Sequence, residues 1–139
     1  MSVREMTSAR GRPVSPHLTV YKMSRYTLAS SISNRFTGLI LSLGLVLLLY
    51  WLVSVAEGAR AYAGARKVLE SLPLKIIYGL LMLAFAYHLA AGVRHLIWDT
   101  GHGLSREQSR RSARWVLVAS LVITAILIWW AFFTGPAAP

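Results

Sequence analysis

A chain of 139 residues with 55% hydrophobic content and a formal net charge of +10 is one small unit rather than several domains. Its apolar residues gather in long uncharged runs, which excludes the dispersed pattern of a soluble core, and its cations bunch at the ends of those runs, which argues against a nucleic-acid footprint. It has no cysteine, so it forms no disulfide and ligates no iron–sulfur cluster; any electron carrier must be held through His or Met.

Residues 1–28 read as an arm. Pro13 and Pro16 restrict the residues before them and oppose a helix, so the stretch from Arg12 to Tyr21 is expected to be extended or turn-like. It is either a disordered tail or an arm that docks on a cytoplasmic partner. No short apolar run with a small-residue cleavage site opens the chain, and too little precedes Arg12 to be removed as a transit peptide. A bacterial inner-membrane protein is expected rather than an organellar precursor.

Three runs then meet the ~18–20 residues needed to cross hydrocarbon. Residues 36–56 hold 21 positions without a charge, residues 76–93 hold 18, and residues 115–139 hold 25. The expectation is an all-α integral membrane protein with transmembrane helices at about 29–56, 73–99 and 113–134 and a short tail at 135–139.

Helix one opens on Ser30-Ser31-Ile32-Ser33-Asn34-Arg35-Phe36-Thr37-Gly38, with serines as N-cap or first-turn residues. Ser31 and Arg35, four apart, share a face at the membrane edge. Arg35 either snorkels to the headgroups or joins Ser31 in a polar pocket for the head of a lipid-soluble ligand. The Gly- and Ala-rich loop that follows accommodates a short surface helix at about 65–72, and Pro73 suits the next helix start.

Helix two carries His88 among apolar neighbours, and an ionisable side chain there marks a functional site. Ala84, His88 and Gly92 are spaced to line one helix face. Small residues one turn either side of a histidine leave room for a flat group. His95 follows about 10 Å along the axis, beside Arg94. Two readings stand: a neutral imidazole on haem iron with a cationic pair for the propionates, or a histidine bonded to a neighbouring helix with Arg94 and His95 as interfacial anchors. Asp99 is placed to pair with His95 or Arg94. Gly101-His102-Gly103 breaks the helix, with His102 a solvated loop residue. Helix three, with Trp115 at one end and Trp129 and Trp130 at the other, is assigned packing only.

Eleven cations lie in the N-terminal region and around the second loop, against four in the first loop. The positive-inside rule therefore puts the N-terminus in the cytoplasm and the C-terminus in the periplasm.

Three motifs then agree in order and spacing: Arg12-Pro13-x-Ser15-Pro16-His17-Leu18-x-x-Tyr21, Ser31-Ile32-x-Asn34-Arg35-x-Thr37-Gly38, and His88-x-x-x-Gly92-x-Arg94-His95-Leu96-x-x-Asp99. Together they resemble the cytochrome b556 subunits of succinate dehydrogenase, the larger membrane anchor of respiratory complex II, in its alphaproteobacterial and mitochondrial branch. The resemblance implies a helical bundle completed by a second small anchor subunit, carrying a flavoprotein and an iron–sulfur protein. It implies one haem b between the anchors and ubiquinone reduced at the membrane edge. His88 would be an axial haem ligand, with Arg94 and His95 near the propionates. Ser31, Ile32 and Arg35 would belong to the quinone pocket, and the arm would contact the iron–sulfur subunit. The chain would bind and transfer electrons without being a catalyst alone. Its one mid-membrane histidine leaves the second axial ligand to another polypeptide. Asn34 stands where many family members have histidine, which removes a titratable group from that position. Two rivals are a quinol:fumarate reductase anchor, with the same parts run in reverse, and a haem-free structural anchor.

Overall fold

The computed structural model describes residues 25–133. Four helices follow in order: α1 (Arg25–Ala56), α2 (Ala59–Leu69), α3 (Leu72–Asp99) and α4 (Arg106–Phe133). No strand occurs among the described residues. The helices α1, α3 and α4 are each long and apolar enough to cross a membrane. This is an all-α integral membrane protein. Most of the expected arm, including the Arg12–Tyr21 motif, and the tail lie outside the described residues.

The helix ends follow the chain's punctuation. Between α1 and α2 the connection is tight because Gly58 adopts φ 97°, a conformation open to glycine. The surface helix is α2, which runs earlier than the expected 65–72. On it, Arg66 Nε donates to Glu70 Oε1 at 2.6 Å, the one ion pair among the described residues. That hydrogen bond, then the charge of Glu70, holds the Arg66 guanidinium above its ordinary value. Both side chains are exposed, and such pairs add little stability. Pro73 sits in the first turn of α3, where its missing N–H costs nothing. At the far end of α3, Gly101 and Gly103 take φ 81° and 77°, and the Trp98 indole N–H donates to the Gly103 carbonyl at 3.2 Å.

Two boundaries differ from the sequence reading, for one reason. The apolar runs mark where the membrane lies, whereas the helices continue past it into water. At its N-terminal end α1 already includes Arg25, so Ser30 and Ser31 lie inside the helix rather than capping it; the Ser30 hydroxyl donates back to the Thr27 carbonyl at 3.1 Å. α4 begins at Arg106 instead of about 113. Its start is a reciprocal capping box: the Gln108 N–H donates to Ser105 Oγ at 3.3 Å, and the Ser105 N–H donates to Gln108 Oε1 at 3.4 Å.

Inside the bundle, the seam between α3 and α4 is built from Tyr87, Ala91 and Val116, flanked by Ala84, Ala113, Ser120 and Thr124. The interior is made of small residues and the large apolar ones face outward, the reverse of a water-soluble core. Without water outside there is little hydrophobic force between helices, so close backbone approach has to hold them. Ser120 and Thr124 are tolerated because their hydroxyls donate to the Leu117 and Ser120 carbonyls at 2.8 and 2.7 Å. α1 buries only Ser54, leaving most of its apolar surface to lipid or to another chain.

Removing the cap hydroxyl by Ser105→Ala should cost about 1 kcal/mol locally. The amides of residues 106–109 should then exchange hydrogen about fivefold faster in detergent, with no change along the rest of α4.

Candidate functional site

His88 lies at the α1–α3 seam, half-buried. Its Nδ1 is 3.2 Å from the Asn34 carbonyl and 3.3 Å from Thr37 Oγ1. A carbonyl can only accept, so Nδ1 carries the proton. The Thr37 hydroxyl donates to the Ser33 and Asn34 carbonyls, at 2.9 and 3.0 Å, leaving its oxygen to accept. Nε2 keeps its lone pair and has no partner among the described residues. Glycine at position 38 allows this contact: a Cβ there would stand 3.2 Å from His88 Cε1, so the ring can lie against the α1 backbone.

The expected face Ala84–His88–Gly92 is divided. Ala84 is buried in the bundle, whereas a Cβ at Gly92 would meet nothing within 4 Å. Open space for a flat group thus lies on the Gly92 side of His88. Among the described residues no three His, Asp or Glu side chains gather into a metal site. Asn34 Oδ1 is buried and bonds to nothing among the described residues, a polar atom whose partner has to come from elsewhere.

Arg94 and His95 do not form a side-by-side pair. Successive residues on a helix point about 100° apart, and here that separates inside from outside. His95 is exposed and edge-on to Trp98, ring centroids 5.2 Å apart. Arg94 is 5% exposed and turned to where α1, α3 and α4 converge. Nε donates to Ser112 Oγ at 2.9 Å, Nη1 to Ser30 Oγ at 3.0 Å, and Nη2 to the Ser109 carbonyl and hydroxyl at 3.0 and 3.1 Å. The guanidinium carbon stands 3.9 Å from the centre of the Trp98 ring. Four of its five N–H groups are thus engaged. Asp99, expected as a partner for Arg94 or His95, is exposed and pairs with neither. The α4 serines take that place because Arg94 points toward α4.

Ser31 is half-buried, Ile32 is 56% exposed and Arg35 is exposed. Their face of α1 adjoins the one that Asn34, Thr37 and Gly38 turn to His88. Neither Ser31 nor Arg35 has a side-chain partner among the described residues. The sequence reading missed Ser30, Ser109 and Ser112. The available signal was the capping box at Ser105: it starts α4 early enough to place Ser109 and Ser112, three apart, on one helical face.

With this geometry in view, comparison with known proteins gives one answer. Residues 8–128 match the family described as succinate dehydrogenase/fumarate reductase transmembrane subunit. The chain belongs to this family. It is 42% identical over 122 residues to the succinate dehydrogenase cytochrome b556 subunit of Paracoccus denitrificans, covering 88% of this chain and 92% of that one. It is 37% identical to the cytochrome b560 subunit of Reclinomonas americana (88% and 86% covered) and 34% identical to the mitochondrial b560 subunit of Mus musculus (86% and 69% covered).

Arg94→Ala should leave three serine hydroxyls and a cavity in a dry seam, lowering stability by more than about 3 kcal/mol. Arg94→Lys keeps the charge but loses the fork that reaches both α1 and α4. Thermal unfolding of the detergent-purified protein should place both variants below wild type, with the lysine variant recovering less than half of the loss.

Proposed function

We propose that this chain is the membrane anchor and electron-transfer subunit of a succinate:ubiquinone oxidoreductase, supplying one axial ligand to haem b and part of the ubiquinone-reduction site. The observation that carries the haem assignment is the state of His88. A histidine that ligates a metal through one nitrogen commonly donates the other N–H to a carbonyl, which fixes the tautomer and raises the basicity of the ligating atom. The Nδ1–H of His88 against the Asn34 carbonyl, with Nε2 free, is that arrangement. The open side of Gly92 and the orphaned Asn34 amide oxygen also fit a group from outside the chain. Relatives named as cytochrome b subunits support the same reading.

When bound, the haem supplies a one-electron centre within the membrane. His88 would hold the iron from this side, and the second axial histidine would come from the other small anchor subunit. His95, free at the exposed end of α3, would meet a propionate. Arg94 would add positive potential and its one remaining N–H.

At the membrane edge, the Ser31 hydroxyl would donate to a quinone carbonyl, with Ile32 packing on the ring. Arg35 would stabilise the negative charge that grows on the oxygen as electrons arrive, a service a preorganised cation performs well away from bulk water. Because Ile32 and Arg35 are exposed, the pocket needs a second chain to close it. Succinate oxidation and the iron–sulfur relay would reside on the flavoprotein and iron–sulfur subunits, since this chain has no cysteine. The asymmetry of eleven cations against four supports an N-terminus in the cytoplasm of a bacterial inner membrane, the side on which those subunits would sit.

A reduced-minus-oxidised visible spectrum of the detergent-purified complex should show a b-type signal that His88→Ala abolishes. A wild-type complex without that signal refutes the haem assignment. Arg35→Ala should lower quinone reduction at least tenfold, about 1.4 kcal/mol, while the spectrum stays at wild-type intensity. Loss of haem together with activity would make Arg35 structural and remove it from the pocket.

A further inference from the structure

A cleft beside α1 and α4, away from the Ser31–Arg35 face, has a charged mouth and an apolar shaft that α3 also lines and that reaches Thr37 on the His88 side of the seam. The mouth is a cavity of about 900 Å³ at the start of α4, lined by Arg106, Arg110, Arg111 and Arg114, with Thr27 of α1 opposite. Glu107 is the one acid in its lining. The guanidinium carbons of Arg110 and Arg114 stand 5.2 and 6.0 Å from the centre of the Tyr26 ring, which gathers both cations onto α1. Arg106, Arg110 and Arg114 recur every four residues, a spacing at which like charges repel. An anion between them removes that repulsion.

Farther along the same faces is a second cavity, of about 820 Å³, lined almost wholly by apolar side chains of α1, α4 and, at its floor, α3 (Ile77, Leu80, Ala84 and Tyr87 among them). On α4, Leu117 and Leu121 continue the row of Arg110 and Arg114. On α1, Ser33, Ile40 and Leu47 continue the row of Tyr26 at seven-residue steps. From Ser33 to Leu47 the helix rises about 21 Å, more than the ~15 Å of one leaflet's hydrocarbon. Arg114 adjoins Trp115, 65% exposed, where the apolar run begins, so the mouth lies at headgroup depth.

We propose that this cleft binds an anionic phospholipid, its phosphate between Arg110 and Arg114 and one acyl chain in the groove below. Each part excludes a competitor. Free phosphate has no use for the groove, a quinone head is uncharged and does not call for four arginines, and an acidic protein surface would fill the mouth and leave the shaft empty. Basic pockets between membrane helices on the cytoplasmic side suit such headgroups.

The test uses the detergent-purified, delipidated complex and native mass spectrometry, with dioleoyl-phosphatidylglycerol and dioleoyl-phosphatidylcholine as probes. Wild type should retain the anionic lipid in preference to the zwitterionic one. Arg110→Gln with Arg114→Gln should reduce that preference about thirtyfold, with the haem spectrum unchanged. Leu121→Trp, which fills the groove and leaves the arginines, should weaken both lipids. Should the double glutamine variant not assemble, the wild-type preference should fall as salt is raised and survive in Arg110→Lys with Arg114→Lys. Equal retention of the two lipids by wild type overturns the proposal, as does selectivity that persists without both arginines. Displacement of the lipid by equimolar inorganic phosphate would mean a headgroup-only site and overturn the acyl-chain assignment. Carbodiimide crosslinking of the amine introduced by Arg110→Lys or Arg114→Lys to a carboxylate of a co-purified subunit, with no lipid preference in wild type, would give the mouth to protein.

Discussion

A guanidinium enclosed by three membrane helices has to be solvated by the protein, and the arrangement of Arg94 shows how. Serine hydroxyls from α1 and α4, a carbonyl and the Trp98 face surround it, and no carboxylate approaches among the described residues. A neutral cage of this kind spreads the charge without cancelling it. It fixes the ends of three helices relative to one another, because moving any one of them strands a donor or an acceptor in a dry place. The retained positive charge also raises the potential at this end of the bundle, where anionic groups are expected to arrive.

The constraint on His88 is of a similar kind but weaker. Nδ1 is held by an α1 carbonyl that is itself part of the helix ladder, and the lack of a side chain at Gly38 permits the approach. Two of the polar contacts, His88 to Asn34 and Arg94 to Ser30, tie α3 to the same stretch of α1. Ser31 lies between these two points and Arg35 directly follows Asn34. The α1 end that would handle quinone is therefore held by the two residues proposed for the haem side, so the two proposed sites would share a mechanical frame although they use adjoining faces.

Much of the fold was legible in the sequence, because hydropathy reports on the membrane directly. Three uncharged runs gave three spanning helices, and the glycines at 101 and 103 and the proline at 73 punctuated them where expected. Helix ends in water were less legible, since an apolar run ends at the headgroups while the backbone keeps its hydrogen bonds beyond; α4 shows this, its first turns being polar and capped at Ser105. Within the site, residue identity was readable but direction was not. Arg94 and His95 are neighbours in sequence, and which of them turns inward depends on where α4 packs. That packing is set by small residues such as Ala91 and Ala113, which carry little signal in a single sequence. The serines around Arg94 were missed for the same reason: a serine announces a partner only when the geometry is known.

The distribution of burial argues for a subunit rather than a self-sufficient protein. α1 buries a single serine while presenting Leu39, Val46 and Leu49 outward, and its polar residues Ser31 and Arg35 lie on surface that nothing among the described residues covers fully. Lipid covers leucine well but leaves a membrane-edge hydroxyl and a guanidinium without specific partners. His88 likewise keeps Nε2 without a partner among the described residues, and no cluster of three metal-ligating side chains occurs there. A membrane histidine with an unpartnered nitrogen and a membrane-edge hydroxyl and guanidinium on one helix pair are costly unless a second chain or a ligand completes them. The exposed flank of α1 is the surface on which one partner helix could do so at once. The arginine-lined mouth at the start of α4 lies on another side, which leaves the arginine row free to face lipid while the subunit interface forms.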